Sequence, residues 1–551
     1  MNAEDLGLLF FTALLLSLLL TPMSITFAKY IGAVDVPIMG RSVHLQSMTR
    51  LGGLGIAFSV LISLALFLAW DMYFMGFFLG AVLIVVTGIL DDLFQMSPAK
   101  KMLGQILACI TFLLVTDLSL HSFGDLLALG DIHLSTIWAW CITLFCMLGI
   151  VNAFNLSDGL DGLASGLTII ASLFLGALAF ASQNWIAVAV VVAILGSVLG
   201  FLKFNTYPAK LFMGDTGSLM LGFFMACLIV YLPEFDGAIA IQPITMAIIL
   251  AVPIIDTLLV MTRRILKGKS PASADKTHLH HRLLSLGISH ASAVTIIYGT
   301  AFLFGFLAIF MRGQAEWLQL LLALSICFVL YMGLALYETF YAPVKSTEID
   351  SDSDSDWVKK VTSIVGKSLK SLRFFIFLGL LIPICFIQST ALDMHGLVLS
   401  VLALLLVLFP WKEHHERLGI VYALFYLAAL TILYVLNVST FKGLNIFLYT
   451  SCFVITLCVW SALKIRFKGH KEVFLTSGFE LLLILISWFV PYIFLPVLNV
   501  PNEIIDVVKI SCLQAIPLLI ALKIVIRRQP DRNYYLVFGF ASLLSLILLV
   551  I

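Results

Sequence analysis

Runs of about twenty apolar residues recur from end to end of the chain, and nearly every charge falls in the gaps between them. Twenty residues of α-helix cross the hydrocarbon of a bilayer, whereas a barrel strand needs only about ten. Inside lipid a backbone must satisfy its own polar groups, so runs of this length can only be helices. The chain therefore reads as an all-α polytopic membrane protein. Composition excludes the soluble alternatives: of 551 residues, 61% are AVILMFWYC and 11% are charged, against about 45–50% and about 25% in an average soluble protein. The same figures exclude disorder, a collagen-like fibre and a disulfide scaffold. With 32 Lys+Arg against 31 Asp+Glu, no basic surplus points to nucleic acid.

Spans are expected near 6–28, 51–70, 72–90, 102–118, 136–152, 162–181, 185–202, 217–233, 238–260, 293–311 and 317–338. A polar stretch follows, with the acidic run SDSDSD at 351–356. Further spans are expected near 373–391, 396–410, 418–437, 446–463, 473–499, 507–526 and 534–551. The chain thus divides into an eleven-span core (1–340), a solvated linker (341–372) and a seven-span unit (373–551) whose role the sequence does not reveal. The N-terminus, MNAEDLG, lacks a basic n-region, so the first run reads as an uncleaved span. The nine cysteines lie in apolar stretches with no CxxC pair and read as small hydrophobes.

Charge placement orients the chain. With the N-terminus outside, only Arg312, Lys442 and Lys509 of the 32 Lys/Arg fall on outer loops, which leaves 29 inside. Such a bias is the positive-inside signature of a multi-pass plasma-membrane protein.

On that layout the chemistry-bearing residues gather on inner loops. Asp91 and Asp92 follow the third span, and Asn155, Asp158 and Asp161 follow the fifth in NLSDGLDG. Asn205, Phe212 and Asp215 follow the seventh in KFNTYPAKLFMGDTGS. Arg263, Arg264, His278, His280, His281 and Arg282 follow the ninth in RRILKGKSPASADKTHLHHRLL. Carboxylates with carboxamides are hard oxygen ligands suited to Mg²⁺, and basic loops beside them suit a phosphate-bearing substrate. The inference is metal-assisted phosphoryl transfer at the cytoplasmic face. Blander readings compete. The Asp91–Asp92 pair and Asp215 also suit helix caps, and Asn155, Asp158 and Asp161 also suit turns. The His cluster resembles a zinc site only in part, since cationic neighbours oppose a dication there. The remaining histidines, His290 among them, read as surface residues. The first inner loop, with Arg41, His44 and Arg50, adds further anion-holding groups.

In their order and spacing, DD, NxxDGxDG, FxxxPAKxFMGDxGS and RRxxxGKSPxxxDxxHxHH resemble the polyprenyl-phosphate N-acetylhexosamine-1-phosphate transferase family, the membrane type of glycosyltransferase family 4. Its members begin enterobacterial common antigen, O-antigen and wall teichoic acid linkage units. The resemblance covers residues 1–338 and is nearest to the branch that uses UDP-GlcNAc. It implies eleven spans with the N-terminus outside, a bacterial inner-membrane location, and Mg²⁺ as cofactor with Mn²⁺ as its substitute. It implies UDP-HexNAc and undecaprenyl phosphate as substrates, and a homodimer.

Carried over by residue, the resemblance makes Asp215 and Asn155 the metal residues. Asp91 and Asp92 handle lipid phosphate and metal, and Asp158 and Asp161 lie near the uridine pocket. Phe212 stacks on uracil, and Asn205 and Lys101 line the nucleotide phosphate site. His278, His280 and His281 lie near sugar and phosphates, with Arg263 and Arg264 on the loop leading there. Gln95 stands where many relatives carry a third aspartate, and the seven-span unit lies outside the pattern. The reaction so implied is transfer of HexNAc-1-phosphate from the UDP-sugar to undecaprenyl phosphate with release of UMP, initiating a lipid-linked envelope glycan. The rival class is a transporter or lipid flippase, which would place its charges at mid-membrane depth instead of at loop edges.

Overall fold

The computed structural model describes residues 3–30, 34–35, 48–49, 51–269, 277–340, 387–389, 440–441, 478–497, 501–502 and 505–513. The chain divides into two compact units, Met1–Ser346 with Thr476–Leu482, and Thr347–Leu475 with Leu483–Ile551. Among the described residues of the second unit are the short antiparallel strands Ile387–Ser389 and Thr440–Phe441 and most of the helical run 478–497. Residues 505–513, at the start of the expected span 507–526, are helical; the remainder of the spans expected beyond residue 372, the acidic run, and Arg41, His44 and Arg50 lie outside the described residues.

The first unit is a helical bundle. In chain order it comprises α1 (Ala3–Tyr30), the two-residue strands β1 (Val34–Asp35) and β2 (Met48–Thr49), α2 (Gly53–Phe67), α3 (Met72–Phe94), α4 (Pro98–Thr116), α5 (Thr136–Ser157), α6 (Leu163–Ala181) and α7 (Trp185–Asn205). There follow α8 (Gly214–Glu234), α9 (Pro243–Ile249), α10 (Ala251–Leu266), α11 (Leu279–Ser285), α12 (His290–Met311) and α13 (Glu316–Phe340). Each of the eleven apolar runs expected before residue 340 is helical. Nine helices among the described residues are long and apolar enough to cross a membrane. Two runs depart from a plain crossing. Helix α2 has only 15 residues, about 22 Å of helix against a hydrocarbon core of about 30 Å. The expected span 238–260 is broken into α9 and α10, which are bent by 81°. Pro253, in the first turn of α10, explains the break: it has no N–H for the carbonyl of Ile249, and its ring crowds that carbonyl.

Helix α8 is the axis of the bundle. Every residue from Thr216 to Leu232 is buried, as befits a helix that is apolar all round. It packs against α3 and α5, and also touches α2. The approach of α3 is close enough to exclude a side chain: a Cβ on Gly88 would lie 2.4 Å from Thr216 Cα. That contact sets the carboxyl-terminal end of α3 against the amino-terminal end of α8, and the site is built there. Exposed Phe11, Leu15 and Leu19 on α1, with Phe328 and Val329 on α13, form the apolar surface expected of a bilayer-embedded bundle.

Candidate active site

Consecutive residues on a helix point about 100° apart, so Asp91 and Asp92 at the end of α3 serve different neighbours. Asp91, 8% exposed, accepts from the backbone N–H of Met96 at 2.7 Å through Oδ1. Its Oδ2 lies 3.0 Å from Nζ of Lys101 on α4. Asp92 faces α8. Its Oδ1 accepts from the N–H of Asp215 at 2.8 Å, and its Oδ2 from the N–H and hydroxyl of Thr216 at 2.9 and 2.6 Å. Both oxygens are thereby committed to the N–H groups of the first turn of α8, which have no partner within the helix, and a negative charge there is also favoured by the helix dipole.

Capped in this way, α8 presents Asp215 in its first turn. Asp215 Oδ1 is 2.7 Å from Lys101 Nζ and accepts a short hydrogen bond from Asn155 Nδ2 at the end of α5. Asn155 also donates to Ser218 Oγ at 2.9 Å and accepts from Lys101 Nζ at 3.2 Å. One ammonium is thus encircled by oxygens of Asp91, Asp215 and Asn155, brought from three different helices. Among the described residues no group of three or more His, Cys, Asp or Glu is placed to hold a metal ion by itself. Two carboxylates and a carboxamide around a cation instead suit a hard ion that keeps waters and takes its remaining ligands from substrate phosphates, the usual habit of Mg²⁺.

A second layer is the loop joining α5 to α6. Asp158 makes no side-chain hydrogen bond among the described residues. Burial, and then the nearby carboxylates of Asp215, Asp92 and Asp161, raise its pKa to about 7. Asp161 instead ties segments together: its Oδ2 accepts from the N–H of Ala209 at 3.0 Å, and its own N–H donates to His290 Nε2 at 3.1 Å. His290 stacks on Tyr207 with ring centres 4.4 Å apart. The surface reading of this histidine is therefore corrected: it clamps two loops of the site together. Asn205 also departs from expectation. It is 2% exposed, accepts from the N–H of Gly162 at 3.0 Å and donates to the carbonyl of Leu211 at 3.1 Å. Carbonyl and amide alike are bonded within the protein, so Asn205 ties the loops beneath the site instead of lining a phosphate pocket. Phe212 is half-buried, with its N–H held by the carbonyl of Thr49 at 3.0 Å.

The histidines form a third layer. His278 precedes α11, and its ring is stacked on that of His280 at 5.8 Å, while His280 and His281 are 4.2 Å apart. His280 lies against the backbone of Gly159, where a Cβ would come within 2.2 Å of its Nε2; glycine there is the condition for the His motif to reach the loop. Burial, then the neighbouring His281, lowers the His280 pKa to about 4, so the ring is neutral at physiological pH. Arg263 and Arg264 occupy the last turn of α10, where cations complement the helix dipole. One contributor escaped the sequence reading. Asp256 on α10 accepts from His278 Nδ1 at 2.9 Å and from the N–H of Leu279 at 2.8 Å. A carboxylate inside the apolar run VPIIDTLLVM was the available signal, since burying a charge at that depth needs a reason.

Carboxylates, carboxamide and lysine from α3, α4, α5 and α8 thus meet at helix ends, with the histidines before and on α11 beside the loop that joins α5 to α6. The chain belongs to glycosyl transferase family 4 and is an integral membrane protein. The profile described as "Glycosyl transferase family 4" matches residues 74–233. The probable undecaprenyl-phosphate N-acetylglucosaminyl 1-phosphate transferase of Bacillus subtilis (strain 168) is 37% identical over 312 residues, 56% of this chain and 86% of the relative. The decaprenyl-phosphate N-acetylglucosaminephosphotransferase of Mycolicibacterium smegmatis is 32% identical over 322 residues, 54% of this chain and 79% of the relative. The undecaprenyl-phosphate alpha-N-acetylglucosaminyl 1-phosphate transferase of Escherichia coli (strain K12) is 30% identical over 311 residues, 55% of this chain and 84% of the relative. These likenesses favour the transferase over the transporter.

Proposed function

We propose that the protein transfers GlcNAc-1-phosphate from UDP-GlcNAc to a polyprenyl phosphate, undecaprenyl phosphate in the first instance, releasing UMP. The observation that carries this reading is the convergence of oxygens of Asp91, Asp215 and Asn155 on a single cation position, filled here by Lys101 Nζ at 2.7–3.2 Å from them. The relatives' names supply the substrate class. An oxygen of the lipid phosphate attacks the β-phosphorus of the sugar nucleotide, a new phosphoanhydride bond forms, and the bond to the α-phosphate oxygen breaks so that UMP leaves with the electron pair.

Asp91, Asp215 and Asn155 are the residues that would hold Mg²⁺, or Mn²⁺ in its place. Such an ion supplies charge withdrawal from the diphosphate and stabilises the departing UMP. Lys101, whose ammonium fills that position here, would bring its charge to the same phosphates when the ion is bound. Asp92 positions Asp215 through the α8 N-terminus. Asp158 and Asp161 are assigned to the uridine end of the donor. Phe212 is assigned to the uracil face, and His278, His280, His281, Arg263 and Arg264 to the sugar and phosphates. The distribution of Lys and Arg supports a cytoplasmic site in a bacterial inner membrane with the N-terminus outside.

The test is purified protein with undecaprenyl phosphate, Mg²⁺ and a panel of UDP-sugars, followed by mass detection of the lipid product and of UMP. UDP-GlcNAc should give the lipid-linked sugar diphosphate. Absence of UMP release with every donor would refute the reading.

A further inference from the structure

Asp256 stands apart from the four sequence motifs, yet it binds one of them with both carboxylate oxygens. It lies on α10, within two turns of the break that follows Ile249. Its Oδ1 takes the first N–H of α11, and its Oδ2 takes Nδ1 of His278, whose ring is buried (4% exposed). A carboxylate at Oδ2 can only accept, so the proton of His278 resides on Nδ1, and Nε2 is the nitrogen left for other partners. The ring so fixed is stacked on His280, and His280 rests on Gly159 of the loop that carries Asp158.

We infer that Asp256 is a positioning residue for the transfer: it sets the tautomer and orientation of His278, so that Nε2 is presented as a hydrogen-bond acceptor to a hydroxyl or acetamido N–H of the donor's sugar. The inference rests on the transferase reading above and adds to it a residue outside the motifs. The same logic operates in the Ser-His-Asp triad of serine proteases, where the Asp-to-Asn change lowers kcat by about 10⁴ without altering the geometry.

Asparagine separates this role from a purely structural one. An amide oxygen accepts as a carboxylate oxygen does, so Asp256→Asn keeps the bond to the N–H of Leu279. Its amide N–H₂ then faces His278 and drives the ring proton to Nε2. UMP release by the purified full-length protein should show kcat reduced about tenfold or more, with KM for UDP-GlcNAc within about threefold of the parent and an unchanged melting temperature. In the His278→Gln background the same substitution should cost little more, because the two residues act through one another. Parental kcat in Asp256→Asn overturns the inference, as does a loss fully additive with His278→Gln. A melting temperature that falls as far for Asp256→Asn as for Asp256→Ala also overturns it, since that marks a structural role alone. An unsubstituted protein that releases no UMP from any donor overturns the transferase reading and this inference with it.

Discussion

Replacing Asp92 by asparagine separates the two members of the aspartate pair. The carboxylate now satisfies the N–H groups of Asp215 and Thr216 and the hydroxyl of Thr216. Asparagine keeps the first of these with its oxygen and turns N–H₂ toward the second. The hydroxyl of Thr216 can rotate and accept, but its N–H, in a residue with 0% exposure, is left facing another donor. An unsatisfied buried N–H costs about 1–3 kcal/mol, and loss of the negative charge at the helix N-terminus costs a further ~0.3–2 kcal/mol. The sum is about 1–5 kcal/mol, a fall in melting temperature on the order of 5 °C. Transfer falls with it, because α8 carries Asp215. Asp215→Asn should do the opposite: it keeps an oxygen acceptor for Lys101, relieves crowding with Asp91, melts within about 1 kcal/mol of the parent and loses UMP release. Both are read by thermal unfolding in detergent alongside a UMP assay. If Asp92→Asn melts with the parent while Asp215→Asn melts well below it, the division of labour drawn from these hydrogen bonds is wrong.

Three further outcomes are expected. Lys101→Met removes the cation between Asp91 and Asp215, so its melting temperature should climb with added Mg²⁺ more steeply than the parent's; a flat Mg²⁺ titration contradicts the cation position. Gly159→Ala forces a methyl group to within 2.2 Å of a His280 ring that is 4% exposed, an overpacking cost of about 1–3 kcal/mol. Both its melting temperature and UMP release should fall, and parental behaviour would show that the His motif does not sit on this loop. His280 is held neutral with a pKa of about 4 against 6.5. Its folded-state pKa is lowered, so its contribution is complete above pH 6.5 and declines as pH falls toward 4, by on the order of 3 kcal/mol. Melting profiles between pH 7 and 4.5 should lose part of their slope in His280→Asn, and an unaltered slope would rule out a buried neutral ring.

Much of the bundle was legible because its cause is local. A backbone in hydrocarbon has no partner but itself, so a twenty-residue apolar run specifies a helix whatever surrounds it. The eleven runs before residue 340 met that condition. The exception at 238–260 had its signal in Pro253, but the 81° bend depended on what packs around the break. The motif residues were also legible, because oxygen-rich side chains beside apolar spans are too costly to be incidental. Their individual roles were not. Asp91 and Asp92 are equivalent in the sequence and differ only by the rotation between successive helical positions. Asn205 looks like a pocket residue until its bonds to Gly162 and Leu211 are seen. His290 looks solitary until Asp161 and Tyr207 meet it.

Sequence alone therefore determined the membrane class, the positions of the helices before residue 340 and the set of residues from which a site would be drawn. Tertiary structure decided which of them surround Lys101, which cap and clamp, and that Asp256 joins them. The physical reason is reach. Helix formation in lipid is settled within a few residues, whereas a carboxylate's role depends on donors within about 3 Å, and for Asp92, Asp161 and Asp256 those donors lie 123, 48 and 22 residues away.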